Sequence, residues 1–298
     1  MQDCPICISK SIYRELGKYP GEFINCSLLL ECLDCGLIFT HPLPSNNELK
    51  EYYSSGLYYD KAIDPYNGDF IEVSLQLSRS RLMLLKKYVD FVSSLKVLDI
   101  GAGNAQFSKA LKEQNNKSIY DAVEPDSKVS SHYGNHVDSR YSAINEVEKK
   151  DYDIVVLNQV LEHVPDPVDF LSLISKFIRQ GGYIYIDVPN QDHLYKSRVD
   201  THILFWNHKC LINLVEKIGF KVLFCDTAGM EHHDAKNYFY KQSIFFKIIN
   251  IWNYKEKINA IGSKYGFGKT FNTFKRYKSD HYGGDRQWLR CIVQKIYK

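Results

Sequence analysis

The chain has 298 residues, 44% hydrophobic and 24% charged, with 38 basic against 35 acidic side chains and a net charge of +3. Such ordinary globular usage excludes a disordered chain, a collagen-like fibre and a coiled coil. No apolar run reaches the roughly 20 residues that cross a bilayer, and a charge so near balance does not by itself point to nucleic acid.

In chain order, residues 1–45 predict a small cysteine-fixed unit with short strands over Phe23–Leu30 and Leu37–Thr40, left through the proline-rich run 41–45. Residues 46–95 read as a helical linker or lid. It comprises a short helix over Asn47–Ser55, an aromatic turn-rich stretch over Gly56–Asp69, and a helix over Ile71–Val92 with Leu75, Leu82, Leu85 and Val89 at helical spacing. From Lys96 the pattern alternates. Strands are expected over Val97–Ile100, Ile119–Glu124, His136–Asp138, Asp153–Leu157, Tyr183–Val188, Phe220–Cys225 and Leu289–Tyr297. Helices are expected over Asn104–Gln114, Asp126–His132, Pro167–Arg179 and His208–Ile218. Continuous apolar strands alternating with amphipathic helices indicate an α/β, doubly wound, mostly parallel sheet covered on both faces. The core is then 96–226 with 288–298, interrupted by an aromatic, basic insertion over 227–287 read as a lid or substrate region.

Residues 236–298 hold fourteen Lys/Arg against Glu256, Asp280 and Asp285. That asymmetry suits an anionic partner, such as a phosphate-bearing substrate; a solvated basic face is the plainer reading. Residues 238–254 could form an amphipathic helix, packed within the insertion or laid on a membrane surface. Met1 to Cys7 carry neither a basic nor an apolar leader pattern, so the expected compartment is the cytoplasm.

Four of the eight cysteines form Cys4-x-x-Cys7 and Cys32-x-x-Cys35. Each such turn aims two sulfurs at one point, and two turns complete a thiolate tetrahedron suited to Zn2+. Four sulfurs leave no open position for water, so the metal is expected to be structural. A disulfide framework does not fit a cytoplasmic chain, and a redox pair would need a strand-helix context. Cys210, Cys225 and Cys291 read as small buried hydrophobes.

The cofactor signal is Asp99-Ile-Gly101-Ala102-Gly103, between a strand and a helix, with Glu124 ending the next strand 21 residues later. Glycines there allow a sharp turn and close approach of a ligand, and a carboxylate at that strand end accepts both hydroxyls of an adenosine ribose. A dinucleotide site wants a third glycine where Gln106 stands, and no Lys-Ser/Thr pair of a P-loop follows. Asp99 suits a cationic ligand. The pattern therefore fits S-adenosylmethionine better than a nicotinamide dinucleotide.

These motifs, with residues 153–167 (DIVVLNQVLEHVPDP), 181–189 (GGYIYIDVP) and 201–206 (THILFW), resemble class I S-adenosylmethionine-dependent methyltransferases. The head, CPIC and CLDCGLIFTHPLP, is similar to the zinc ribbon of bacterial methyltransferases that modify sugars in polysaccharide and related pathways. The resemblance implies a seven-stranded Rossmann-like methyltransferase sheet with a small N-terminal zinc ribbon. It implies that Asp99, Gly101 and Gly103 line the methionine part of the cofactor, with Ala102 and Phe107 in the same binding set. Glu124 would hold the ribose, Pro125 and Asp126 would flank the adenine, and Asn158 and Gln159 would approach the methionine end. Ala105 stands where that family usually has another glycine.

The expected reaction is methyl transfer to a hydroxyl, or a carbon, of a nucleotide-linked or phospho-linked sugar. The general base is sought first at His163, then at His202, then at His193, because imidazole titrates near neutral pH. The structural alternative for His163 is a hydrogen bond fixing the Pro165–Pro167 turn. Two other readings are an RNA methyltransferase gripping nucleic acid with the zinc ribbon, and a cofactor-binding scaffold without chemistry. The first is disfavoured because residues 1–45 set only Lys10, Arg14 and Lys18 against Asp3, Glu15, Glu22, Glu31 and Asp34.

Overall fold

The computed structural model describes residues 3–7, 12–21, 26–54, 68–91, 93–197, 199, 201–238, 240 and 280–296. The expected stretch 56–67, most of the helix expected over 238–254, and the bulk of the insertion lie outside the described residues.

The main sheet has seven strands in the order β10-β11-β8-β7-β4-β5-β6. These are β4 (Lys96–Ile100), β5 (Ile119–Val123), β6 (Ser139–Tyr141), β7 (Tyr152–Asn158), β8 (Ile178–Pro189), β10 (Phe220–Glu231) and β11 (Arg286–Lys295). Strands β4 to β8 pair in parallel, and β11 runs antiparallel to both β8 and β10. The central strands are mostly apolar because both faces are covered. Helices α2 (Gly68–Leu85) and α3 (Gln106–Gln114) pack Leu75, Leu82, Leu85, Phe107 and Leu111 on one face. Helices α5 (Pro167–Ile174) and α6 (His208–Lys217) pack Leu171, Ile174, Leu211 and Leu214 on the other. Strand order reverses between β4 and β7, so their carboxyl ends open the crevice where doubly wound sheets bind ligands.

A second sheet, ordered β1-β2-β3-β9, joins the head to this core. It consists of β1 (Tyr13–Lys18), β2 (Leu28–Cys32), β3 (Ile38–His41) and β9 (Leu204–Phe205). Strand β9 belongs to the segment leaving β8, and it pairs Phe205 with Ile38 and Leu204 with Phe39. Helix α1 (Asn46–Ser54) follows, with Ser45 and Glu48 hydrogen-bonded reciprocally as a capping box.

Several boundaries differ from the sequence reading. Strand β1 was not anticipated; its six residues are mostly exposed and show no apolar face. The helix expected to run to Arg179 ends at Ile174, and Gly181-Gly182 lie within β8. They form a bulge there: Tyr152 pairs with Ile178 but Ile154 with Tyr183, and a Cβ on Gly182 would sit 2.7 Å from Ile178. The strand expected at 136–138 is displaced to 139–141 by pairing with β5. Strands β10 and β11 extend past Cys225 and before Leu289, into the expected insertion, because Ala228 and Glu231 pair with Trp288 and Arg286. Among the described residues no helix is long and apolar enough to cross a membrane.

Candidate active site

Strand β4 ends in a turn with three positive φ angles, Gly101 at 69°, Gly103 at 53° and Ala105 at 52°. A Cβ on Gly101 would lie 2.7 Å from a Val160 methyl, so the backbones of the β4 and β7 turns approach too closely for any side chain there. Asp99, at the end of β4, is fully buried. Its Oδ2 accepts from the Tyr120 hydroxyl, while Oδ1 is buried with no partner among the described residues. Burial pushes its carboxyl up to about 7.

Glu124 follows β5 and faces the same turn. Its Oε2 accepts from the Gly103 amide at 2.9 Å and its Oε1 from the Asp126 amide at 3.0 Å. Each carboxylate oxygen has a second lone pair, so two ribose hydroxyls could be added without breaking either bond. Burial raises the Glu124 carboxyl to about 6. Asp126 caps the short helix α4 (Ser127–Ser130), accepting from the Lys128 and Val129 amides, and Pro125 is exposed. Ala102 is half-buried on the turn. Phe107 is buried in the core, its ring stacked against Tyr185 with centroids 6.4 Å apart.

Strand β7 ends at Asn158, whose Oδ1 is buried without a partner among the described residues. Gln159 has φ 57° and turns its side chain to β8, donating to Asp187 Oδ1 at 2.9 Å. Asp187 also accepts from Arg81 Nε at 2.9 Å and Arg290 Nε at 3.0 Å. Burial opposes its charge, yet the two guanidinium groups hold it below the usual carboxylate range. This buried cluster supports the floor beneath the Gln159 turn, and sequence reading missed it. Arg81 lies on a helix and Arg290 on a distant strand, so no spacing links them.

Two of the histidines meet in the loops that follow β7 and β8. His163, after β7, and His202, before β9, stand with ring centroids 4.9 Å apart, edge to face. His163 Nδ1 lies 2.9 Å from the Tyr53 hydroxyl and 3.1 Å from the Thr201 carbonyl, and its Nε2 lies 3.8 Å from Glu162. Burial, and secondly His202, push His163 down to about 3. Glu162 is fully buried, with neither carboxylate oxygen hydrogen-bonded among the described residues, and burial drives its carboxyl well above the ordinary range. His202 Nδ1 lies 2.7 Å from Asp192 Oδ2, which also accepts from Lys196 Nζ at 2.8 Å. His193 packs edge-on against Phe205 with its Nδ1 buried and unpartnered among the described residues. Tyr53, Thr201 and Asp192 were not singled out from the sequence.

Cys4, Cys7, Cys32 and Cys35 converge with all four sulfurs within 4.8 Å of one another. Two sulfur pairs stand 3.6 and 3.8 Å apart. The edge of a tetrahedron with 2.3 Å Zn–S bonds is about 3.8 Å, so the four thiols fit such an ion.

Residues 72–223 match a family model described as a methyltransferase domain. The chain belongs to this methyltransferase family. Curated relatives include ubiquinone biosynthesis O-methyltransferases. That of Leptothrix cholodnii is 26% identical over 126 residues, covering 39% of this chain and 54% of the relative. That of Idiomarina loihiensis is 28% identical over 154 residues, covering 48% and 63%. The matched part thus spans under two thirds of either relative. Among solved structures, a Burkholderia thailandensis 1,6-didemethyltoxoflavin-N1-methyltransferase superposes with TM-score 0.53 at 14% identity, covering 89% of this chain and 98% of its own. A Haemonchus contortus phosphoethanolamine N-methyltransferase 2 gives TM-score 0.50 at 14%, covering 87% and 63%. The core therefore has the fold of S-adenosylmethionine-dependent methyltransferases, and the unpartnered Asp99 and Asn158 oxygens with the bare Gly101 turn fit that cofactor.

The sugar or polysaccharide acceptor expected from the sequence is corrected by these relatives, whose names place them in ubiquinone biosynthesis. The features that suggested it, the cysteine-rich head and the basic last fifth, lie outside the matched residues 72–223.

Proposed function

We propose that this methyltransferase transfers the methyl group of S-adenosylmethionine to a hydroxyl of a small molecule, and that Cys4, Cys7, Cys32 and Cys35 hold a structural Zn2+. The reading rests on the O-methyltransferase relatives. The Glu124 carboxylate on the glycine turn, and the histidine pair in the loops after β7 and β8, support it. Bound cofactor supplies an already activated methyl on a sulfonium, so the protein's work is alignment and proton removal. Asp99, Gly101 and Gly103 receive the methionine part, Glu124 the ribose, Asn158 the methionine end. The Tyr120 hydroxyl fixes Asp99 from behind.

Residues 1–45 then act as a metal-bound head built onto the crevice through β9, and residues 96–226 with 288–298 as the cofactor-binding core. The test is to incubate the purified chain with methyl-labelled S-adenosylmethionine and panels of phenols, catechols, aliphatic alcohols and amines. Label transferred to a hydroxyl compound is expected. Label transferred to amines alone would overturn the reading.

A further inference from the structure

Two cysteines used neither by the cofactor site nor by the metal head stand opposite each other in the main sheet. Cys225 on β10 pairs with Cys291 on β11 in antiparallel register. Opposed residues in such a pair of strands alternate between hydrogen-bonded positions and closer, non-hydrogen-bonded ones. The backbone decides which kind this is. The Cys225 carbonyl accepts from His208 Nε2 at 2.8 Å, and the Thr227 carbonyl, two residues on, accepts from the Gly283 amide at 3.2 Å. Both carbonyls are therefore turned to partners outside β11. On β11, the Gln287 carbonyl accepts from the Asn190 amide at 2.9 Å, so Gln287, and at period two Leu289 and Cys291, face their backbone groups toward β8. Cys225 and Cys291 thus occupy a non-hydrogen-bonded position. Their Cα atoms then lie about 4.5 Å apart, within the roughly 4.4–6.8 Å that a disulfide spans. Both side chains share the sheet face packed by Leu211 and Leu214 of α6. The neighbouring Cys225 thiol, and secondly burial, push the Cys291 thiol well above its ordinary range.

We propose that Cys225 and Cys291 are an oxidative modification site, at which hydrogen peroxide forms a reversible cross-strand disulfide at the base of the 227–287 insertion. Cys225 is half-buried on the edge strand and Cys291 is fully buried, so the oxidant meets Cys225 first. The Cys225 sulfur bonds to one peroxide oxygen as the O–O bond breaks, giving a sulfenic acid and water. The Cys291 sulfur then bonds to the Cys225 sulfur as the S–O bond breaks. The released hydroxide takes the Cys291 thiol proton and leaves as a second water. The two thiols lose two electrons and the peroxide gains them. In a reducing compartment such a bond is transient, returning to thiols by exchange.

The surroundings favour this pairing over others. Cys210 on α6 is engaged in its own helix cap, where its sulfur accepts from the Asn207 amide at 3.2 Å and donates to the Asn207 carbonyl at 3.3 Å. The four head cysteines converge on one another. The cross-link closes the chain between Cys225 and Cys291 into a covalent loop, so the unfolded state loses freedom. It also ties β10 to β11 one residue from Arg290, whose guanidinium holds Asp187 beneath the Gln159 turn. The site is independent of the acceptor and of the O-methyl reading.

The experiment treats the purified, reductant-free chain with hydrogen peroxide, blocks remaining thiols with iodoacetamide, and maps tryptic peptides by mass spectrometry without reduction. The peptides carrying Cys225 and Cys291 should be joined in most molecules and should separate after dithiothreitol. Oxidation should also raise the urea midpoint of the wild type relative to an equally treated Cys225→Ser chain, because only the wild type gains the covalent loop. If Cys225→Ser fails to fold, the joined peptide in the wild type decides alone. Both cysteines alkylated after peroxide, Cys225 joined to Cys210 or to a head cysteine, or Cys225 carried to sulfinic acid with Cys291 alkylated would each overturn the proposal. So would a joined pair that leaves the relative midpoint unchanged or lower, since the bond would then not form in the native register.

Discussion

Glu124 offers the sharpest test of the cofactor site. Its two oxygens already accept the Gly103 and Asp126 amides, and the ribose hydroxyls would take the remaining lone pairs. Glu124→Gln keeps the shape but presents an amide NH2 where one backbone N–H and one hydroxyl expect an acceptor. A lost charge-assisted hydrogen bond is worth about 1.5–3 kcal/mol, so affinity for S-adenosylhomocysteine should fall by about 10- to 150-fold. The wild type should show a matching pH dependence. Binding needs the ionised carboxylate, and burial raises that carboxyl to about 6. At pH 5 roughly nine-tenths of free Glu124 is protonated, so apparent affinity should weaken about tenfold between pH 7.5 and 5. Stability should move the other way. A carboxyl raised in the folded state contributes stability below its unfolded pKa, and about 2 kcal/mol is lost as pH rises through 6. Isothermal calorimetry at both pH values and a urea series check the two halves. A Glu124→Gln Kd within about threefold of wild type would refute the ribose assignment, since no charged hydrogen bond is that weak.

Three further outcomes follow from particular contacts. Ala105 holds a left-handed conformation at φ 52° in front of α3, so Ala105→Gly should stabilise the chain by about 0.5–1 kcal/mol in urea melts, and a lower midpoint would contradict that. Asp187 joins Arg81, Arg290 and Gln159 in the core, and Asp187→Ala strands two buried guanidinium groups. A loss of about 3–5 kcal/mol is expected by chemical denaturation, while a loss below about 1 kcal/mol would mean that the cluster is solvated. Elemental analysis should find one Zn2+ per chain, and Cys35→Ser should abolish it while leaving α2 and α3 helical by circular dichroism. Wild-type protein purified without metal in zinc-supplemented medium would remove the structural-zinc reading.

The alternating strands and helices, the glycine turn from Gly101, Glu124 and the two cysteine pairs were all legible in the chain itself. Each depends on a short stretch whose spacing already sets its geometry: a turn, a strand end, a knuckle. Element ends were less legible, because pairing partners decide them. The glycines at 181 and 182 read as a helix stop, yet β7 makes them a bulge. The sugar acceptor read from the head and the basic tail did not agree with the named O-methyltransferase relatives.

Only the tertiary structure shows what each histidine faces. His163, His193 and His202 look alike in sequence, and nothing in their spacing reveals which nitrogen meets a carboxylate. Folding sets Asp192 against His202 and buries His163 between Tyr53 and Thr201, from segments more than a hundred residues apart at their widest. The head sheet makes the same point. The sequence shows a unit that can close on a metal, but the pairing of β3 with β9 attaches it to the segment that carries His202. Local spacing dictates what a residue can do chemically; long-range packing dictates what it faces.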